Sequence, residues 1–134
     1  MSLSRLTKPV LVLSGATALV IALFILIAPE AFYHSYGIAL GPDPSLLNEL
    51  SAPAVMLLLA GGVMLAGVVR AALTRPALWL AAGVFTAYAL SRGLNMVVYG
   101  WPHDGLVLAA GVEAAIGGLA IVALMRSVHR PLGH

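Results

Sequence analysis

Arg92 and Glu113 are two ionisable residues set deep inside stretches that are otherwise almost wholly apolar. Arg92 lies eight positions before Gly100, and Glu113 lies eight positions after Gly105. Only a short turn (Gly100, Trp101, Pro102, His103, Asp104) separates the two stretches, so they are expected to run antiparallel and side by side. With each residue rising 1.5 Å along a helix, both side chains then fall roughly 12 Å below the same membrane surface. A charge at that depth costs on the order of 2.5–3.5 kcal/mol on the milder insertion scale. Each therefore needs a partner, and each can serve the other.

Other polar residues gather around this pair. Tyr88, Arg92, Asn95 and Tyr99 follow the spacing i, i+4, i+7, i+11, with Ser91 beside them, and form a stripe on one helix face. Such a stripe must face protein or water rather than lipid. Ala109, Ala110, Ile116, Gly117 and Ala120 share the neighbourhood of Glu113; small residues there admit either close helix contact or room for a ligand. Asn48 and Glu49 come from an earlier span. If that helix starts at Ser45, Pro53 is interior and leaves the Glu49 carbonyl without its donor. If it starts near Ser51, Pro53 is a first-turn proline and Glu49 is a loop residue.

In the first case Glu49, Arg92 and Glu113 converge, with Asn48, Tyr88, Asn95 and Tyr99 around them. Two carboxylates flanking a guanidinium suit general acid–base work, one held ionised and the other free to carry a proton. The plainer reading is that Arg92 pairs with Glu113 only to hold two helices in register, with Asn48 and Asn95 as interhelical hydrogen-bond glue.

The elements that would position these groups are membrane spans. The chain has 134 residues, 61% hydrophobic and 9% charged, with mean hydropathy +1.02; a soluble domain carries about 25% charged residues. The apolar residues fall into blocks at about 10–28, 46–69, 77–99 and 106–125, each near the ~20 residues needed to cross a bilayer. This predicts one all-α domain over residues 1–134, an integral membrane four-helix bundle running up-down-up-down. Arg5, Lys8, Arg70, Arg75, Arg126 and Arg130 flank one side, and Glu30, Asp43 and Asp104 the other. The positive-inside rule then puts both termini in the cytoplasm of what is read as a bacterial cytoplasmic membrane. The first apolar run is too long for a signal-peptide core and no small-x-small site follows it, so cleavage is not expected.

The long first outer loop, Pro29 to Pro44, opens with an aromatic stretch from Phe32 to Tyr36 and can form a short interfacial helix ended by Gly37. Tyr33, Tyr36 and Trp101 would make an aromatic belt at the outer interface, with Trp79 at the inner one; the alternative is a lid over a pocket. Gly61, Gly62, Ala66 and Gly67 form a small-residue face for helix packing, and such faces would admit a homo-oligomer. Met56, Met64 and Met96 are expected to be packing residues. The chain lacks cysteine, which excludes disulfides and thiolate metal sites. His34, His103, His129 and His134 have no ligand spacing, so no metal is expected. The scattered basic residues form no nucleic-acid patch, and no nucleotide motif or other cofactor site is present.

Asn48-Glu49-Leu50, Gly61-Gly62, Arg92, Tyr99-Gly100-Trp101-Pro102 and Glu113 together resemble a bacterial family of small four-span membrane proteins catalogued as a domain of unknown function. The resemblance covers nearly the whole chain and implies fold and topology but no activity. In that pattern a basic residue often follows the Asn-Glu pair, where this chain has Ser51.

The leading expectation is a pocket in the outer half of the membrane, binding a small lipophilic molecule with a polar head. Cofactor-free acid–base chemistry such as isomerisation, cyclisation or epoxide opening would be its reaction. Glu113 would act as base or acid, Arg92 as electrostatic orienter and Glu49 as second carboxylate; Asn48, Tyr88, Asn95 and Tyr99 would position the substrate. Alternatives are an accessory subunit in which Arg92 and Glu113 touch with no cavity beside them, and a small proton-coupled exporter. The exporter fits less well because the inner halves of the spans carry little that is polar.

Overall fold

The computed structural model describes residues 3–128; His129, Arg130 and His134 lie outside the described residues. The described residues are helical apart from short connections: α1 (Leu3–Ile27), α2 (Pro29–His34), α3 (Pro44–Val69), α4 (Ala71–Tyr99) and α5 (Asp104–Val128). Helices are the expected solution for such apolar runs, because in lipid the backbone must satisfy its own hydrogen bonds. By length and composition α1, α3, α4 and α5 can each cross a membrane, and the chain is an integral membrane protein. Their most apolar windows have mean hydropathies of 2.9, 2.2, 1.2 and 2.2 in chain order; α4 is lowest because it carries the polar stripe.

The ends of these helices have local causes. Asp43 caps α3, its Oδ1 accepting the Ser45 N–H at 2.9 Å, and Pro44 fills the first helical position, where no N–H is needed. α3 therefore starts early, and Pro53 is interior. α4 starts at Ala71, before the apolar block at Ala77, so Pro76 is interior as well. There the Thr74 hydroxyl donates to the Gly67 carbonyl at 2.8 Å and ties the α3–α4 turn together. α4 stops at Gly100, whose φ of 97° lies where side-chain-bearing residues are strained.

The four long helices form an up-down-up-down bundle. Gly15 of α1 lies against Gly61 and Leu65 of α3, and Leu11 against Gly67. Gly67 of α3 meets Ala77 of α4, and Gly117 of α5 meets Phe85 and Thr86. A Cβ placed on Gly67 would fall 2.5 Å from the Ala77 methyl, so that crossing tolerates no side chain. The expected packing face on α3 is thus real for Gly61 and Gly67, while a Cβ on Gly62 would meet nothing within 4 Å.

Burial is uneven along the bundle. Leu11, Met64, Ala77, Leu78, Ala81, Ala120 and Ala123 are buried toward the end that carries the α3–α4 turn. In α4 nothing beyond Phe85 is buried, and in α5 the first buried residue is Glu113. The end that carries α2 and the α4–α5 turn is hollow.

Candidate functional site

The hollow end is built around an ion pair. Arg92 Nε donates to Glu113 Oε2 at 2.7 Å, and Arg92 Nη2 donates to Glu113 Oε1 at 3.1 Å. This is a two-pronged guanidinium–carboxylate contact between α4 and α5, the geometry that makes arginine the preferred partner of a carboxylate. The Glu113 side chain is 9% exposed and that of Arg92 29%, so the acid is enclosed while part of the guanidinium stays reachable. The antiparallel pairing expected from the matched spacing is present.

A cavity of about 350 Å³ lies beside the pair. Its wall draws on all five helices: Ile21 and Ile25 of α1, Phe32 and Tyr33 of α2, Pro53 and Leu57 of α3, Phe85, Tyr88 and Arg92 of α4, and Ala109 and Glu113 of α5. The size falls at the lower end of small-molecule sites, roughly 300–1,000 Å³, and the mostly apolar lining with a few convergent polar groups is typical of them. Pro53 and Leu50 reach the wall because α3 starts early.

The roof is α2 with the residues that follow it. Phe32 packs edge-on against Phe24, Tyr33 and Tyr36, with ring centroids 5.4, 5.1 and 5.2 Å apart. The stretch turns at Gly37 (φ 74°), where a Cβ would press on the His103 ring at 3.1 Å. A Cβ on Gly105 would come 3.0 Å from the Tyr36 ring. These two glycines let the α2–α3 loop seat against the α4–α5 turn. The aromatic residues of α2 and that loop thus lie over the cavity, as the lid alternative requires, whereas Trp79 and Trp101 stay exposed. Burial raises the Tyr33 hydroxyl above its ordinary pKa; nearby Tyr88 adds to the rise and Arg92 opposes it.

A second, smaller cavity of about 160 Å³ is lined by Arg92, Asn95, Met96, Tyr99, Gly100, Pro102 and Leu106. Arg92 belongs to both walls. Of the expected site residues, the structure gathers Tyr88, Arg92 and Glu113 on the large cavity, and Asn95 and Tyr99 on the small one beside Arg92. Asn48 and Glu49 are exposed and line neither cavity. The Asn48 carbonyl accepts the Ser51 hydroxyl at 2.8 Å. Leu50, Pro53, Ala54 and Leu57 occupy the cavity-facing side of α3; position 48 lies on the opposite side and position 49 at the edge of that face, where its side chain is exposed.

A family model for a domain of unknown function (DUF4345) matches residues 6–124. The chain belongs to that family. No curated protein and no solved structure matches it.

The cavity includes residues that the sequence did not single out as a site, above all Tyr36, Phe85 and Pro53. One signal was available for the roof: a cluster of three aromatic residues ended by glycine, in the only long loop. For Phe85 there was none, since an aromatic residue in an apolar helix is usually core. Among the described residues no cluster of metal-ligating side chains occurs.

Proposed function

We propose that this protein binds a small lipophilic molecule with a polar head, its head at Arg92 and Glu113 and its apolar body among Ile21, Ile25, Leu57 and Phe85. With the basic flanks inside, the cavity opens toward the outer leaflet. The observation that carries this reading is the cavity beside the ion pair. A pair that serves only to lock α4 to α5 needs contact but no space, and here a volume of about 350 Å³ adjoins it. The polar groups at the opposite end do not suggest a second gate, because Ser14 and Thr74 hydrogen-bond to the backbone carbonyls of Val10 and Gly67. That weakens an alternating-access exporter.

Acid–base chemistry on the bound molecule is the extension of this reading. Glu113 is the carboxylate on the cavity wall and would move the proton; Tyr33, Tyr36 and Tyr88 are the hydroxyls that would complement it. A mechanism with two carboxylates is not supported by the position of Glu49.

The test is extraction of the protein with its surrounding lipid, followed by mass spectrometry of bound small molecules. The comparison is Ala109→Phe, which fills the cavity one turn from Glu113. The wild type should carry a compound that the variant lacks, while both remain monodisperse with similar melting temperatures. The same compound in both, or none in the wild type, would remove the cavity as a binding site.

A further inference from the structure

We infer that the polar head of the ligand is a neutral carbonyl, as in a ketone, quinone or ester, rather than an ammonium or a carboxylate. The inference rests on the binding reading above and narrows its ligand class.

The argument is an inventory of what the cavity wall can still offer. Both Glu113 oxygens are engaged by Arg92, at 2.7 and 3.1 Å, so its negative charge is already matched by a paired cation. An incoming ammonium would find no unpaired anion and would lie close to a guanidinium. The remaining capacity consists of hydrogen-bond donors. Arginine carries five N–H groups in a fixed fork, and the contact with Glu113 uses two of them. The hydroxyls of Tyr33, Tyr36 and Tyr88 make no hydrogen bond with the described residues. Tyr33 and Tyr36 are half-buried, and no buried side-chain nitrogen or oxygen of such residues lacks a partner, so their free hydroxyls are ones that open space can reach; Tyr88 is exposed and lines the cavity.

Net charge then separates a neutral acceptor from an anionic one. Arg92 and Glu113 cancel, and no other charged residue lines the cavity. A carboxylate would therefore enter an apolar chamber of net charge zero without a cation of its own, which is unfavourable. A carbonyl oxygen needs only donors. Phenol hydroxyls and a spare guanidinium edge supply them, while the alkyl or ring part of the molecule meets Ile21, Ile25 and Leu57.

The experiment is photo-crosslinking of the full protein in nanodiscs with a ten-carbon 2-alkanone bearing a diazirine. Unlabelled decan-2-one, decylamine, decanoate and decane serve as competitors. Crosslinks should map to the cavity-lining peptides, with decan-2-one competing at least about tenfold better than decylamine or decanoate. Tyr33→Phe and Tyr88→Phe should each weaken decan-2-one about two- to tenfold, the worth of one net hydrogen bond, and leave decane unchanged. Equal or better competition by the amine or the carboxylate would overturn the carbonyl assignment while leaving the cavity as a ligand site. So would a tyrosine effect of the same size on decane. Failure of the ketone and decane alike to reach the cavity would overturn the binding reading itself, and this inference with it.

Discussion

The two ends of the bundle are made on different plans. Toward the α3–α4 turn, Gly15, Gly61, Gly67 and Gly117 bring helices into backbone contact, and alanines such as Ala77, Ala81 and Ala120 fill what remains. Toward the α4–α5 turn, α4 and α5 are bridged by an arginine and a glutamate, two long side chains meeting end to end. Glycines occur at that end too, but a Cβ on Gly93 or Gly111 would meet nothing within 4 Å. Small side chains at a contact draw helices together; long paired ones hold them apart. The cavity lies at the end where these small-residue contacts give way to the ion pair, with Phe32, Tyr33 and Tyr36 in its wall.

Breaking the ion pair should have the largest effect. Arg92→Leu leaves an enclosed carboxylate unpaired and should lower stability by about 3–5 kcal/mol in a detergent or denaturant titration. Arg92→Leu combined with Glu113→Leu removes both charges and should recover most of that loss, since replacing a buried pair by apolar residues is often neutral. Ligand retention should disappear in the double variant all the same. A double variant as unstable as the single one would mean that the hollow end depends on the charges themselves and not on their being matched.

The glycines test the same contrast more gently. Gly67→Ala should destabilise by about 1–3 kcal/mol, because the Ala77 methyl cannot swing aside and the two helices must separate. Gly93→Ala, beside Arg92, should be neutral or stabilise by about 0.5–1 kcal/mol, because alanine loses less backbone freedom in a helix. Equal losses at both positions would show that the hollow end is as tightly constrained as the packed one. Glu49→Gln, at an exposed position off both cavities, should change neither stability nor ligand retention.

The contrast also explains what could be read from the residues alone. The spans were legible because lipid tolerates so few alternatives to apolar helices. Arg92 and Glu113 were legible because their depth demanded partners and the short turn between their helices supplied a common level. Helix starts were less so: α4 begins at Ala71 and runs on past Arg75 and Pro76, although Pro76 has no N–H to donate, and an apolar window cannot register that. Glu49 shows a further limit. Its place near the start of α3 put it at the same end of the bundle as the pair, yet that says nothing of where the side chain turns, and Glu49 is exposed and lines neither cavity. The roof was hardest to foresee, since seating Tyr36 on Gly105 and Gly37 on His103 joins two loops distant in sequence.

Tyr33 offers the smallest effect and the most local one. It sits on α2 yet feels both Tyr88 and Arg92, so its titration reports on the far wall of the cavity. Its pKa is raised in the folded protein, chiefly by burial, so the neutral phenol is favoured there. The contribution to stability is complete below the ordinary tyrosine value of 10.0 and is lost as pH rises through the higher folded value, because the unfolded chain releases its proton first. In a tyrosinate absorbance titration, Tyr33→Phe should therefore remove signal from the late, alkaline part of the curve. Arg92 pulls against the rise, so Arg92 and Glu113 both replaced by leucine should move the Tyr33 phase to still higher pH. A phase that ignores the loss of Arg92 would place α2 out of electrostatic reach of the pair, and the cavity would then lack its roof.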